Sequence, residues 1–87
     1  MAKIRPITNP HVLPKNINGQ VAKIGEEFQE FIEAWLGGDP KGADEEAMDI
    51  MIACRTYFYR RGYDDEKVDQ LYNEVELKNT KRDYYKR

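Results

Sequence analysis

Ile24, Phe28, Phe31 and Trp35 recur at intervals of four, three and four residues, a spacing that sets one apolar stripe along an α-helix and is incompatible with the alternation of a strand. The spacing predicts a helix from about Gly19 to Leu36, ended by Gly37-Gly38-Asp39-Pro40, where glycine frees the chain and proline cannot continue it. A second helix is expected from about Asp44 to Arg61. Ala47, Ile50, Met51, Cys54 and Phe58 form one of its apolar faces, and Met48, Ile52 and Tyr59 form another. A helix apolar on most sides belongs in the middle of a bundle or at a subunit contact. Gly62 is the expected residue just past its end. Asp64 or Asp65 can then cap a third helix, carrying Val68, Leu71, Tyr72 and Val75 and running to about Arg82. Helices joined by short links pack against their neighbours in opposite directions. The expectation is an all-α fold, an antiparallel helical bundle of three main helices.

Residues 1–18 read differently. Pro6, Pro10 and Pro14, with Asn9, Asn16 and Asn18, remove backbone donors and disfavour helix. They predict an extended arm draped on the helical domain (residues 19–87) or on a neighbouring subunit. His11 sits in that arm, where a structural or solvent-facing role is the default. At 87 residues the chain holds one domain and buries a modest fraction of its surface. Its single cysteine, Cys54, excludes an internal disulfide, so completion of the bundle by oligomerisation is expected.

A formal net charge of -2 gives no bulk case for binding a nucleic-acid polymer. No stretch approaches the roughly 20 apolar residues of a membrane span, and Met1 to Gln20 has no apolar signal core, so a cytoplasmic location is expected. The charge is uneven along the chain. Acidic residues concentrate between Glu26 and Asp49, and basic ones gather in the tail from Lys78 onward.

Within the acidic stretch, Glu26-Glu27-Phe28-Gln29-Glu30 is a Glu-Glu-x-x-Glu pattern, and Glu46-Ala47-Met48-Asp49 is Glu-x-x-Asp. Residues three apart on a helix project from one side. Two such pairs on facing helices would gather Glu27, Glu30, Glu46 and Asp49 around one cavity. Glu27 and Glu30 flank the apolar stripe of the first helix, and Ala53 continues the Glu46/Asp49 row with a small side chain. Asp49 lies between two apolar faces, where an unpaired charge would cost several kcal/mol and calls for a cation. Four hard oxygen ligands without histidine or cysteine suit Mg²⁺, with Mn²⁺ as a substitute. The bland alternative is a solvated acidic helix surface. On the third helix the Leu71/Val75 stripe continues into Lys78, Asn79 and Arg82, so these are expected to start on the bundle side. Lys and Arg beside a magnesium–carboxylate site meet the needs of a triphosphate, and Lys23, one turn before Glu27, can add a contact.

These patterns resemble the MazG-like all-α nucleoside triphosphate pyrophosphohydrolases, whose mark is Glu-Glu-x-x-Glu followed on the next helix by Glu-x-x-Asp. Lys23-Ile24-Gly25 and the segment from Glu76 through Lys78-Asn79-Thr80-Lys81-Arg82 to Asp83-Tyr84-Tyr85 are also similar to that family, so the resemblance covers about residues 20–85. It implies that Glu27, Glu30, Glu46 and Asp49 ligate magnesium on a bound (d)NTP. A metal-activated water would attack the α-phosphorus, giving (d)NMP and pyrophosphate. It further implies Glu26 as general base or outer-shell ligand, Lys23, Lys78, Asn79 and Arg82 on the phosphates or sugar, and a homodimer or homotetramer. The family usually has a further helix where this chain has its arm. Trp35 is expected in the core rather than stacked on a base. Two other readings compete: phosphoribosyl-ATP pyrophosphohydrolase, of the same fold, and a non-enzymatic helical oligomerisation module whose acids are surface charge.

Overall fold

Capping side chains mark out the elements. In a computed structural model, which describes residues 3–82, Asn16 Oδ1 accepts from Gly19 N at 2.9 Å and starts α1, Ile17–Leu36. Asp39 Oδ1 accepts from Gly42 N at 2.9 Å and starts α2, Pro40–Arg60. Asp64 Oδ1 accepts from Lys67 N at 2.8 Å and starts α3, Asp65–Lys81, which has Asp65 and Glu66 in its first turn and Lys78 and Lys81 in its last, as the helix dipole favours. All regular structure among the described residues is helical. Asp83, Tyr84 and Tyr85, part of the resemblance, lie outside the described residues.

Two boundaries differ from expectation. α1 begins at Ile17 rather than near Gly19, and α2 begins at Pro40 rather than near Asp44. Asp39-Pro40 is both a stop and a start: proline cannot extend α1, yet at the first position of a helix its missing N–H loses nothing and its fixed φ fits. Gly62 does follow the end of α2, with φ +84°, in the left-handed region where a side chain would be strained.

Packing of helix on helix is concentrated in α1 against α2. Along this seam Gln20 faces Ala53, and Glu27 and Glu46 come together further along. Near the other end of α1, Phe31 and Ile32 share an apolar hollow with Ala43. Ala43 and Ala53 are the buried hydrophobic residues, and Gln20, Glu27 and Thr56 are buried with them. Small residues let the backbones approach, and polar ones fill the seam. The sequence stripe is therefore split. Ile24 and Phe31 are half-buried, Phe31 beside Ala43, whereas Phe28 and Trp35 are 54% and 64% exposed, so Trp35 is not core.

Within one chain the third helix stands largely apart from the other two. No residue of α3 is buried, and it makes no extended packing against α1 or α2. Its start is pinned to the end of α2 by Arg55 Nη2 on Asp65 Oδ1 at 2.6 Å and by the tilted contact of Phe58 with Tyr63, ring centroids 5.3 Å apart. Beyond that, Val68, Leu71, Tyr72 and Val75 line an open hollow beside Phe58.

The arm is draped on its own domain. It turns at Asn9, whose carbonyl accepts from Val12 N and whose side chain accepts from His11 N. Three attachments hold it: Ile7 N donates to Thr56 Oγ1 at 3.0 Å, Arg60 Nη2 donates to Pro14 O at 2.7 Å, and Lys3 pairs with Asp65 at 2.8 Å. Gly19 admits the crossing, since a Cβ there would stand 2.8 Å from Pro14 Cβ.

Thr56 is 1% exposed and donates in turn to Ile52 O at 2.7 Å. Thr56→Val is expected to destabilise the fold by about 1–3 kcal/mol, because Ile7 N–H loses its acceptor in a part-buried place. Urea unfolding with hydrogen exchange at the Ile7 amide checks this: the exchange should rise more than that of amides in the middle of α1.

A candidate metal centre between α1 and α2

Gln20 and Glu27 lie seven residues apart, two turns along one face of α1, and that face meets α2. Glu46 and Asp49 lie one turn apart on α2 and meet it from the other side. One carboxylate oxygen from each of Glu27, Glu46 and Asp49 falls within 4.8 Å of the others. Glu30 stands beside Glu46, close enough to act on its ionisation. All four residues expected as ligands are thus neighbours, with Glu27, Glu46 and Asp49 tightly converged; Asp49, expected between two apolar faces, is instead exposed, as is Glu30.

The electrostatics follow from that crowding. Burial, then a hydrogen bond shared with Glu27, then the charge of Glu30 push the Glu46 carboxyl from its usual 4.5 up to about 7. Its Oε2 is buried without a hydrogen-bond donor. Lys23 supplies one cation, its Nζ 3.1 Å from Glu27 and 3.7 Å from Glu26, and this pairing with Glu27 raises the lysine's own pKa. One ammonium against at least three carboxylates leaves the group short of positive charge. An all-oxygen set of this kind fits a hard divalent cation such as Mg²⁺ or Mn²⁺.

Beside the carboxylates lies a cavity of about 390 Å³. Lys23, Glu27 and Asp49 line it together with Gln20, Ile52 and Ala53 of the helices and Ile7, His11, Val12, Leu13 and Pro14 of the arm. The arm, expected to drape on the helical domain or on a neighbouring subunit, lines this cavity. Gln20 explains how it is held. The buried Gln20 Nε2 donates to Ala53 O at 3.1 Å, while its Oε1 accepts from Arg60, the same arginine that holds Pro14. Gln20, Thr56 and Arg60 were missed by sequence reasoning. The available signal was a polar residue on the Ile24/Glu27 side of α1, opposite small or hydroxylated residues of α2.

Other expected site residues fall elsewhere. Glu26, the candidate base, is exposed and outside the converged trio. Lys78, Asn79 and Arg82 lie in the last turns and cap of α3; they line no part of this cavity and are not among the groups that shift Glu46. The apolar stripe of α3 pointed them at the other two helices, from which α3 stands largely apart within one chain. Comparison with family models, curated proteins and solved structures gives no match for this chain.

The raised Glu46 carboxyl has a pH signature. The folded chain holds a proton there that the unfolded chain releases near 4.5, so this contribution to stability is complete below that pH and lost as pH rises through about 7. Asp65 has the opposite sign: its hydrogen bonds to Lys3 and then Arg55 lower its pKa, and its contribution is lost as pH falls. Thermal melts in chelator are expected to show stability falling between pH 5 and 8, with excess Mg²⁺ removing most of the slope by displacing the proton, and Glu46→Gln flattening it without metal. A slope that Mg²⁺ leaves unchanged would count against the metal centre.

Proposed function

We propose that this chain is a magnesium-dependent nucleoside triphosphate pyrophosphohydrolase, converting (d)NTP to (d)NMP and pyrophosphate. The observation that carries this reading is the convergence of Glu27, Glu46 and Asp49 within 4.8 Å, beside a cavity large enough for part of a nucleotide. Support comes also from the order and spacing of Glu-Glu-x-x-Glu and Glu-x-x-Asp, which resemble the MazG-like enzymes. We take α1 and α2 as antiparallel, in keeping with Gln20 beside Ala53 at one end of the seam and Phe31 with Ala43 at the other. The chain works as a homo-oligomer, in keeping with its small core. No described helix is long and apolar enough to cross a membrane, and a cytoplasmic site of action suits a nucleotide substrate.

Glu27, Glu46 and Asp49, with Glu30 at the edge, would hold Mg²⁺, which when bound would supply charge neutralisation for the triphosphate and a more acidic water for attack on the α-phosphorus. Glu46 must shed its proton for this, which ties metal binding to pH. Lys23, poised on the cavity edge, exchanges Glu27 for a phosphate oxygen when substrate enters. Glu26, outside the converged trio and paired with Lys23 at 3.7 Å, takes the outer-shell role rather than that of the base. The apolar wall of Ile7, Val12, Leu13 and Pro14 shelters the nucleoside from water.

A panel of natural and modified triphosphates with Mg²⁺, scoring pyrophosphate separately from orthophosphate, tests this directly. Pyrophosphate release is expected, with Glu46→Gln and Asp49→Asn each lowering kcat/KM by roughly 10²-fold or more, the scale of a lost metal interaction. Orthophosphate alone would remove the α-phosphorus mechanism. Turnover of phosphoribosyl-ATP with none of the common triphosphates would reassign the substrate. Absence of Mg²⁺ binding at millimolar concentration would leave a helical oligomerisation module.

A further inference from the structure

Ile7 to Pro14 form a loop that is fastened at both ends to α2. Ile7 N donates to Thr56 Oγ1, and Pro14 O accepts from Arg60 Nη2. Thr56 and Arg60 lie one turn apart on that helix, so the two ends of the loop are tied to neighbouring positions. Between the ties the chain reverses in a tight turn. Val12 N donates to Asn9 O at 3.2 Å and His11 N to Asn9 Oδ1 at 3.0 Å, so one asparagine takes up both protons of the turn. Pro10, second in that turn, has its φ fixed by its ring. A loop closed at its base and locked at its tip holds side chains in place without burying them. Ile7 and Val12 are 42% and 65% exposed, and His11 is exposed between them.

Among the described residues that line the cavity, His11 carries the one aromatic ring. The other polar groups there are committed. Gln20 spends its amide on Ala53 O and Arg60, Lys23 pairs with Glu27, and Glu27 and Asp49 belong to the carboxylate cluster. The rest of the lining is aliphatic. Because the same cavity is bounded by Glu27, Asp49 and the loop, one molecule can reach both the carboxylates and His11. Its volume of about 390 Å³ suits a small-molecule site. Resting on the function proposed above, we infer that the Ile7–Pro14 loop carries the nucleobase subsite, with the base stacked on the ring of His11 and sheltered by Ile7, Val12 and Leu13. Recognition there is by stacking and not by hydrogen-bond readout. Every base offers a flat π face to a stacking ring, and an aliphatic lining discriminates weakly between rings of similar size. With the amide of Gln20 already spent, the edges of a base meet no fixed donor or acceptor from it. Purine and pyrimidine triphosphates are therefore expected to share KM values within roughly 10-fold.

The chain has a single histidine, so the imidazole ring-proton signals in an NMR spectrum belong to His11. At fixed pH, the full chain is titrated with Mg²⁺ and α,β-methylene analogues of a purine and a pyrimidine triphosphate. Both analogues are expected to move the ring protons upfield, the ring-current effect of a base stacked on the imidazole. Inorganic tripolyphosphate with Mg²⁺, which has the phosphates and no base, is expected to leave them in place. In steady state, His11→Ala is expected to raise KM by roughly 10-fold for every base with little change in kcat, the pattern of lost uniform binding, and His11→Phe to restore it. Both variants should fold, because the ties of the loop are main-chain atoms of Ile7 and Pro14 and the ring itself is exposed. An equal response to tripolyphosphate, no response to an analogue that binds, or a loss on His11→Ala confined to one base overturns the inference. Its failure is separable from that of the function. A chain that releases pyrophosphate while His11 stays unresponsive keeps the function and loses the subsite. One whose His11 responds to the analogues but releases no pyrophosphate keeps the subsite and loses the function.

Discussion

The fold depends on a helix–helix seam made of small and polar side chains instead of large apolar ones. Ala43 and Ala53 bring α1 and α2 close, and Gln20, Glu27 and Thr56 occupy places where a bundle of this size would ordinarily bury leucine or phenylalanine. Polar groups in such positions cost free energy unless each finds a partner. Gln20 finds Ala53 O and Arg60, Thr56 finds Ile52 O and Ile7 N, and Glu27 finds Lys23. Glu46 does not find one for Oε2. Among the described residues Arg55 Nη1, on α2, is the other buried side-chain atom without a partner, but only at the carboxylates is there a local deficit of positive charge, and that deficit makes this part of the structure read as a site.

The arm and the site share the same supports. Arg60 bonds both Gln20, inside the seam, and the Pro14 carbonyl, on the arm; Thr56 bonds both α2 and Ile7. The arm and helix sides of the cavity are therefore fastened to one another through side chains of α2, so that the spacing between arm and carboxylates follows the position of that helix. Asp65, drawn on by Lys3 and Arg55 together, repeats the arrangement at the α2–α3 junction.

The helices and the acidic pairs were legible in the sequence to different depths. Apolar spacing and cap residues located α3 nearly to the residue, because Asp64 and its first-turn acids act within one turn of backbone. The start of α2 was placed four residues late, since Asp39-Pro40 ends one helix and begins the next and only the first role is obvious in a string of letters. Glu27, Glu30, Glu46 and Asp49 could be grouped from i, i+3 spacing alone. The roles of Phe28 and Trp35 could not: a stripe of four large residues spans more than the strip that a single neighbour covers, and which edge is covered depends on that neighbour.

By itself, then, the sequence determined what local chemistry controls: three helices, their caps, the proline-bearing arm, and two acidic pairs each on one side of a helix. Only the tertiary structure decided that Glu27 sits in the seam while Phe28 faces outward, that the arm walls the cavity, and that α3 with Lys78 and Arg82 stays apart from the acids of its own chain. The physical reason is range. Helix formation and capping act over three or four residues, whereas the bonds that join the seam and the arm, Gln20 to Ala53 O and Ile7 N to Thr56, link residues 33 and 49 positions apart and form only once the chain has turned back on itself.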